Sequence, residues 1–166
     1  MALPVWRQTE PLMLPSSTTG IWWTLLRMAR RILIDTSAIF AIISSTDDFH
    51  HQARNTYTDL LDSGEELYAT SYILVEASAL IHRRLGFEPL RTFIQSIQGV
   101  WNILWIDRGI HEEAWKRMAE RGGSRLSFVD WSAIVAAEDA RLTIFAFDED
   151  FSQEGLVTIP GPSAMT

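Results

Sequence analysis

The chain has 166 residues, enough for one domain with a filled core, and its 47% hydrophobic and 21% charged residues are an ordinary globular balance. It contains no cysteine, which excludes disulfides, thiolate nucleophiles and cysteine metal sites and makes a reducing cytoplasm its natural home. The formal charge of −7 and pI near 5.0 are the reverse of a simple cationic nucleic-acid binder, and no stretch is long and apolar enough to span a bilayer.

Residues 1–30 read as an extension. Pro4, Pro11 and Pro15 break regularity, and Ser16 to Gly20 reads as loop. Ile21 to Leu26 is apolar but short, with neither a basic segment before it nor a small-residue cleavage site after it, so a signal peptide is not expected. Met28 stands just before Ala29-Arg30-Arg31 and the first clear strand. It is expected to be the true translation start, the alternative being a disordered or partner-binding arm.

From residue 31 strands and helices alternate. Arg31 to Asp35 is a short apolar run ending in an acid, as in a buried parallel strand. Thr36 to Ser44 and Asp47 to Leu61 are predicted helices, the second ended by Ser63-Gly64. Glu66 to Ala69 is a second strand, Ser71 to Arg84 an apolar helix stopped at Gly86, and Pro89 to Gln98 a further helix. Val100 to Ile106 is a third strand, followed by helices over His111 to Arg121 and Phe128 to Leu142 on either side of Gly122-Gly123. Thr143 to Phe147 and Leu156 to Ile159 complete the set as strands, and residues 161–166 form a tail. Strands separated by helices imply crossovers, hence a mainly parallel sheet with helices on both faces and ligands outside the carboxyl ends of the strands.

Four acids sit where acids are costly. Asp35 and Asp148 end predicted strands. Glu76 is the only charge between Tyr72 and Ile81, and Asp130 the only one between Phe128 and Ala137. An ionised carboxylate left without a partner there costs several kcal/mol or shifts its pKa. Convergence on a shared divalent cation explains all four at once. Each also has a structural explanation. Asp35 can cap the next helix, Asp130 can close a capping box with Ser127, and Asp148 can start a turn. A mid-helix Glu76 is the hardest to explain that way. Asp150 competes for the fourth place. His50, His51, His82 and His111 show no metal spacing and are expected at the surface or a partner contact.

These segments resemble the PIN-domain ribonucleases. Ile32-Leu33-Ile34-Asp35-Thr36-Ser37 looks like their opening strand, with the first acid followed by a hydroxyl pair. Glu76 closes Thr70-Ser71-Tyr72-Ile73-Leu74-Val75-Glu76, Asp130 follows Leu126-Ser127-Phe128-Val129, and Phe147-Asp148-Glu149-Asp150-Phe151 resembles the fourth motif. Within that superfamily the nearest likeness is to VapC-type toxins of toxin–antitoxin pairs. The resemblance spans the 31–160 region. It implies a three-layer α/β/α sandwich, RNA cleavage with Mg²⁺ or Mn²⁺, a homodimer and inhibition by a cognate antitoxin. By that resemblance Asp35, Glu76, Asp130 and Asp148 are catalytic metal ligands, with Asp150 as an alternative.

Thr36, Ser37 and Ser127 are expected to orient those ligands, although Thr36 serves equally as a helix start. Arg83, Arg84, Arg91, Arg121 and Arg125 are weaker candidates for gripping RNA phosphates. Trp101, Trp105, Trp115 and Trp131 suit core or interface more than base stacking, and Tyr57, Phe93 and Trp115 suit either core or a partner groove. Net acidity does not forbid an RNA substrate, because an ion held by carboxylates sets the local field. A phosphotransferase with Asp35 as nucleophile would want a second Asp where Ser37 stands and a matching phosphate-binding lysine, and Lys116 has no such context. A PIN-like RNA-processing nuclease without a toxin role, or a silent binding module, are the remaining alternatives.

Overall fold

A computed structural model describes residues 29–160 apart from 149 and 157, so the expectation about Met28 lies outside the described residues. The strands are β1 (Arg31–Ile34), β2 (Glu66–Thr70), β3 (Trp101–Leu104), β4 (Thr143–Phe145) and β5 (Thr158–Ile159). The helices are α1 (Thr36–Ile43), α2 (His50–Asp62), α3 (Ser71–Leu85), α4 (Phe87–Ile97), α5 (Arg108–Arg121), α6 (Phe128–Ala140) and the short α7 (Asp150–Gln153).

The strands form one sheet in the order β3-β2-β1-β4-β5, and every pairing is parallel. Ile32 sits at the centre, opposite Leu67 on one side and Thr143 on the other. A parallel sheet covered on both faces needs strands apolar on both sides. Ile32, Leu33 and Ile34 meet that demand at 0% exposure each. Helix α1 packs on α2 and α3, α3 on α4, and α5 on α6, which completes a three-layer α/β/α sandwich. The chain runs outward from β1 to β2 and β3 on one side, and later to β4 and β5 on the other. The order reverses between β1 and β4, and a crevice opens there at their carboxyl ends.

Several observed elements differ in extent from the expected ones: β4 ends at Phe145, β5 starts at Thr158, α4 spans Phe87–Ile97 and α5 starts at Arg108. Three further differences have a local cause. Helix α2 starts at His50 rather than Asp47, because the Asp47 side chain accepts the Phe49 amide at 2.9 Å and holds a turn. Strand β3 stops at Leu104, and the Ile106 amide turns aside to the Ser71 hydroxyl at 3.1 Å. Helix α7 was not expected. Asp148 Oδ1 accepts the Asp150 amide at 2.9 Å at its start, and Phe151, fully buried, anchors it in the core.

Candidate active site

Asp35 follows β1 directly. Its amide donates to Phe145 O at 2.9 Å, pinning it to the crevice between β1 and β4, and it caps α1. The residue is only 3% exposed. Oδ2 accepts both the Ser37 amide (2.9 Å) and the Ser37 hydroxyl (2.7 Å), while Oδ1 is buried with no hydrogen-bond partner. Burial first, and then the charge of Asp130, push the carboxyl up to about 7 against the opposing bonds from Ser37.

Glu76 lies in the second turn of α3, half-buried, and its Oε2 accepts the Thr36 hydroxyl at 2.6 Å. Asp130 closes a capping box: its Oδ2 accepts the Ser127 amide at 2.6 Å, and its own amide donates to the Ser127 hydroxyl at 3.2 Å. Burial raises its proton affinity, the Ser127 bonds oppose that, and the charges of Glu76 and Asp148 add to it. Asp148 is exposed and Asp150 half-buried beside it.

The structural explanations for these acids therefore hold, without exhausting them. Asp35, Asp130 and Asp148 all serve helix starts, yet Asp130 is electrostatically coupled to Asp35, Glu76 and Asp148. One coupled group thus contains acids from the end of β1, the middle of α3, the start of α6 and the turn after β4. Each hydroxyl picked out in the sequence bonds one of them: Thr36 to Glu76, Ser37 to Asp35, Ser127 to Asp130. The Ser37 hydroxyl also accepts the Phe147 amide at 3.1 Å, a link between the ends of β1 and β4 that spans 110 positions of sequence.

Among the described residues no three acidic or histidine side chains close into a cage that would hold an ion as they stand. Much of their bonding capacity is turned toward Ser37, Thr36 and Ser127 instead. The donor chemistry nonetheless suits a hard divalent cation. The group offers carboxylate and hydroxyl oxygens, an inward Asp35 oxygen with no other partner, and burial joined by mutual repulsion that raises the proton affinities of Asp35 and Asp130.

An open groove of about 520 Å³ adjoins the group. Ser37, Asp47, Arg125, Asp148 and Asp150 are its polar lining residues, and Phe40, Phe49, Leu80 and Phe147 its apolar ones. A second cleft of about 560 Å³ shares Arg125 and Asp150 with it and continues past Arg121 and the Gly122-Gly123 turn. Of the five arginines, Arg125 is the one that lines this groove, and it has no ion-pair partner among the described residues. Arg121 lines the second cleft but is paired with Glu154 at 3.0 Å. Arg91 is paired with Glu88, and Arg83 and Arg84 occupy the exposed last turn of α3.

The tryptophans separate cleanly. Trp101 and Trp131 are buried at 9% and 5%, whereas Trp105 and Trp115 are 78% and 59% exposed. Phe93 is core and Tyr57 accepts the Trp101 indole N–H at 3.1 Å. Of the histidines, His50 bonds Ala41 O at 2.7 Å and His111 bonds the Tyr72 hydroxyl at 2.8 Å.

A family model described as PIN domain matches residues 32–155. No curated protein sequence matches the chain. Among solved structures, the chain is similar to VapC20 of Mycobacterium tuberculosis, a sarcin–ricin loop cleaving toxin, with a TM-score of 0.69, 22% identity, and coverage of 76% of this chain and 96% of that one. It is similar to VapBC2 of Rickettsia felis bound to a promoter DNA fragment (TM-score 0.60, 13% identity, 77% and 96% covered). It is also similar to DNA-bound VapBC of Salmonella typhimurium (TM-score 0.58, 16% identity, 79% and 97% covered).

Proposed function

This chain belongs to the PIN-domain family, and from that premise we propose that it is a divalent-metal-dependent endoribonuclease acting as the toxin of a toxin–antitoxin pair. The observation that carries the reading is the buried, unpartnered Oδ1 of Asp35 among acids coupled from separate elements. Asp35, Glu76, Asp130 and Asp148 would hold Mg²⁺ or Mn²⁺, with Asp150 within reach of the same groove. Such a cation, when bound, lowers the pKa of water and stabilises charge on a phosphodiester. The chain's own residues prepare the site. Ser37 fixes Oδ2 of Asp35 and leaves Oδ1 inward, Thr36 holds Glu76, and Ser127 holds Asp130. Arg125 would pair an RNA phosphate, and Arg121 could join it on leaving Glu154.

The toxin assignment draws support from relatives of this fold that occur with an antitoxin on DNA. A homodimer is supported by an exposed apolar face. Tyr72 of α3 and His111 of α5 are bonded, and Val75 (70% exposed) and Trp115 (59% exposed) follow one turn along each helix. No described helix is long and apolar enough to cross a membrane, and a cytoplasmic location is part of the proposal.

Purified protein incubated with total RNA and Mn²⁺ should produce new, mappable 5′ ends, lost in Asp35→Asn and Glu76→Gln. Expression should arrest growth, and Asp35→Asn should relieve the arrest. Undiminished Mn²⁺-dependent cleavage by both variants would overturn the site assignment.

A further inference from the structure

The aromatic wall of the groove has no part in holding a cation. Phe49 and Phe147 stack with ring centroids 4.8 Å apart and planes inclined by 19°. Phe49 is 46% exposed, so a large aromatic ring stands in solvent at a groove that Asp47, Arg125, Asp148 and Asp150 also line. Its position is fixed at several points. The Asp47 side chain holds the Phe49 amide, Phe145 contacts Phe147 edge-on at 5.7 Å, and the Ser37 hydroxyl holds the Phe147 amide. That same hydroxyl donates to Asp35, so the ring pair and the buried acid are registered to each other through one oxygen.

A groove lined both by stacked aromatic rings and by Arg125, beside acids that would hold a cation, suits a single nucleotide, which is a flat ring joined to a phosphate. We propose that Phe49, backed by Phe147, is a stacking platform for one unpaired nucleobase next to the scissile phosphate. This rests on the nuclease reading above. A base inside a duplex has both faces covered by its neighbours and cannot reach the ring, whereas a splayed base can, whatever its identity. Phe49 is thus a positioning residue for substrate.

The test uses the full chain and a short single-stranded RNA, with and without its complementary strand. Phe49→Ala should raise KM about tenfold, or about 1.4 kcal/mol, with kcat within about twofold of the parent. Phe49→Tyr should restore KM, and Phe49→Leu, apolar but without a π face, should behave like Ala. A 2-aminopurine base in the oligonucleotide should be quenched on stopped-flow mixing, before cleavage, and Phe49→Ala should remove the quench. Annealing the complement should suppress binding.

Unchanged KM and quench in Phe49→Ala, parental behaviour of Phe49→Leu, or equal cleavage of duplex RNA would each overturn the platform, and the wall would then belong to a protein contact. The two readings fail separately. If the parent protein cleaves nothing but shows the Phe49-dependent quench, the nuclease reading falls and the platform stands.

Discussion

Asp35 shows how much a single carboxylate contributes. Its ordinary value of 3.8 applies to the unfolded chain, while burial lifts it to about 7 in the folded one. Between those values the folded protein keeps a proton that the unfolded chain has released, so stability falls as pH rises across that window and levels above it. Without divalent ions, Tm should therefore drop between about pH 4 and about pH 8, and Asp35→Asn should flatten the profile. Mn²⁺ at a hundredfold over its Kd should recover about 2.7 kcal/mol at the higher pH. Differential scanning calorimetry checks both, and a flat profile for the parent protein would contradict the burial argument. The acids themselves were readable in the sequence because a lone charge in an apolar run stands out. Their fixing was not: the bond from Phe147 to Ser37 joins residues 110 positions apart, and nothing local records it. Phe49 escaped for a related reason, since its spacing fits a helix that in fact begins one residue later.

Helix starts deliver three of the acids, so capping and site geometry are the same physical fact. Ser127→Ala removes the hydroxyl half of the capping box on α6 and should cost about 1 kcal/mol. For a chain of this size that lowers Tm by about 2–4 °C, readable by circular dichroism. Because Asp130 would also swing more freely, Mn²⁺ affinity should fall more than the small stability loss suggests, and calorimetric titration would detect it. An affinity equal to the parent's would mean that the cap only closes the helix. Strands and long helices followed from apolar runs and periodicity, as with Ile32 to Ile34 and the face Ile73, Ala77, Ile81. Short elements did not. Asp47 diverts the chain into a turn by a side-chain bond, and α7 depends on Phe151 finding the core, a tertiary event with a four-residue local trace.

For the molecule as a whole, the net charge of −7 gives no long-range attraction for RNA, so capture depends on local features. The outer faces of α3 and α5 carry Val75, Trp115 and Met118 in the open, at 70%, 59% and 40%. Helix α3, apolar nearly all round between Tyr72 and Ile81, is packed by α1, α4 and α6 yet leaves Val75 in the open. Val75→Glu with Trp115→Glu should convert a dimer to a monomer with an unchanged far-ultraviolet spectrum, as analytical ultracentrifugation would measure. A parent chain already monomeric at high micromolar concentration would remove that face as an interface.

Asp35 hangs from the middle strand of the sheet and is tied by its amide to the strand beside it. The innermost strands are the last parts of a domain to open, so this centre is as rigid as the fold itself. For the toxin proposed above, a partner laid across the crevice would restrain the chain without any change in that strand, and release would require only that the covering leave.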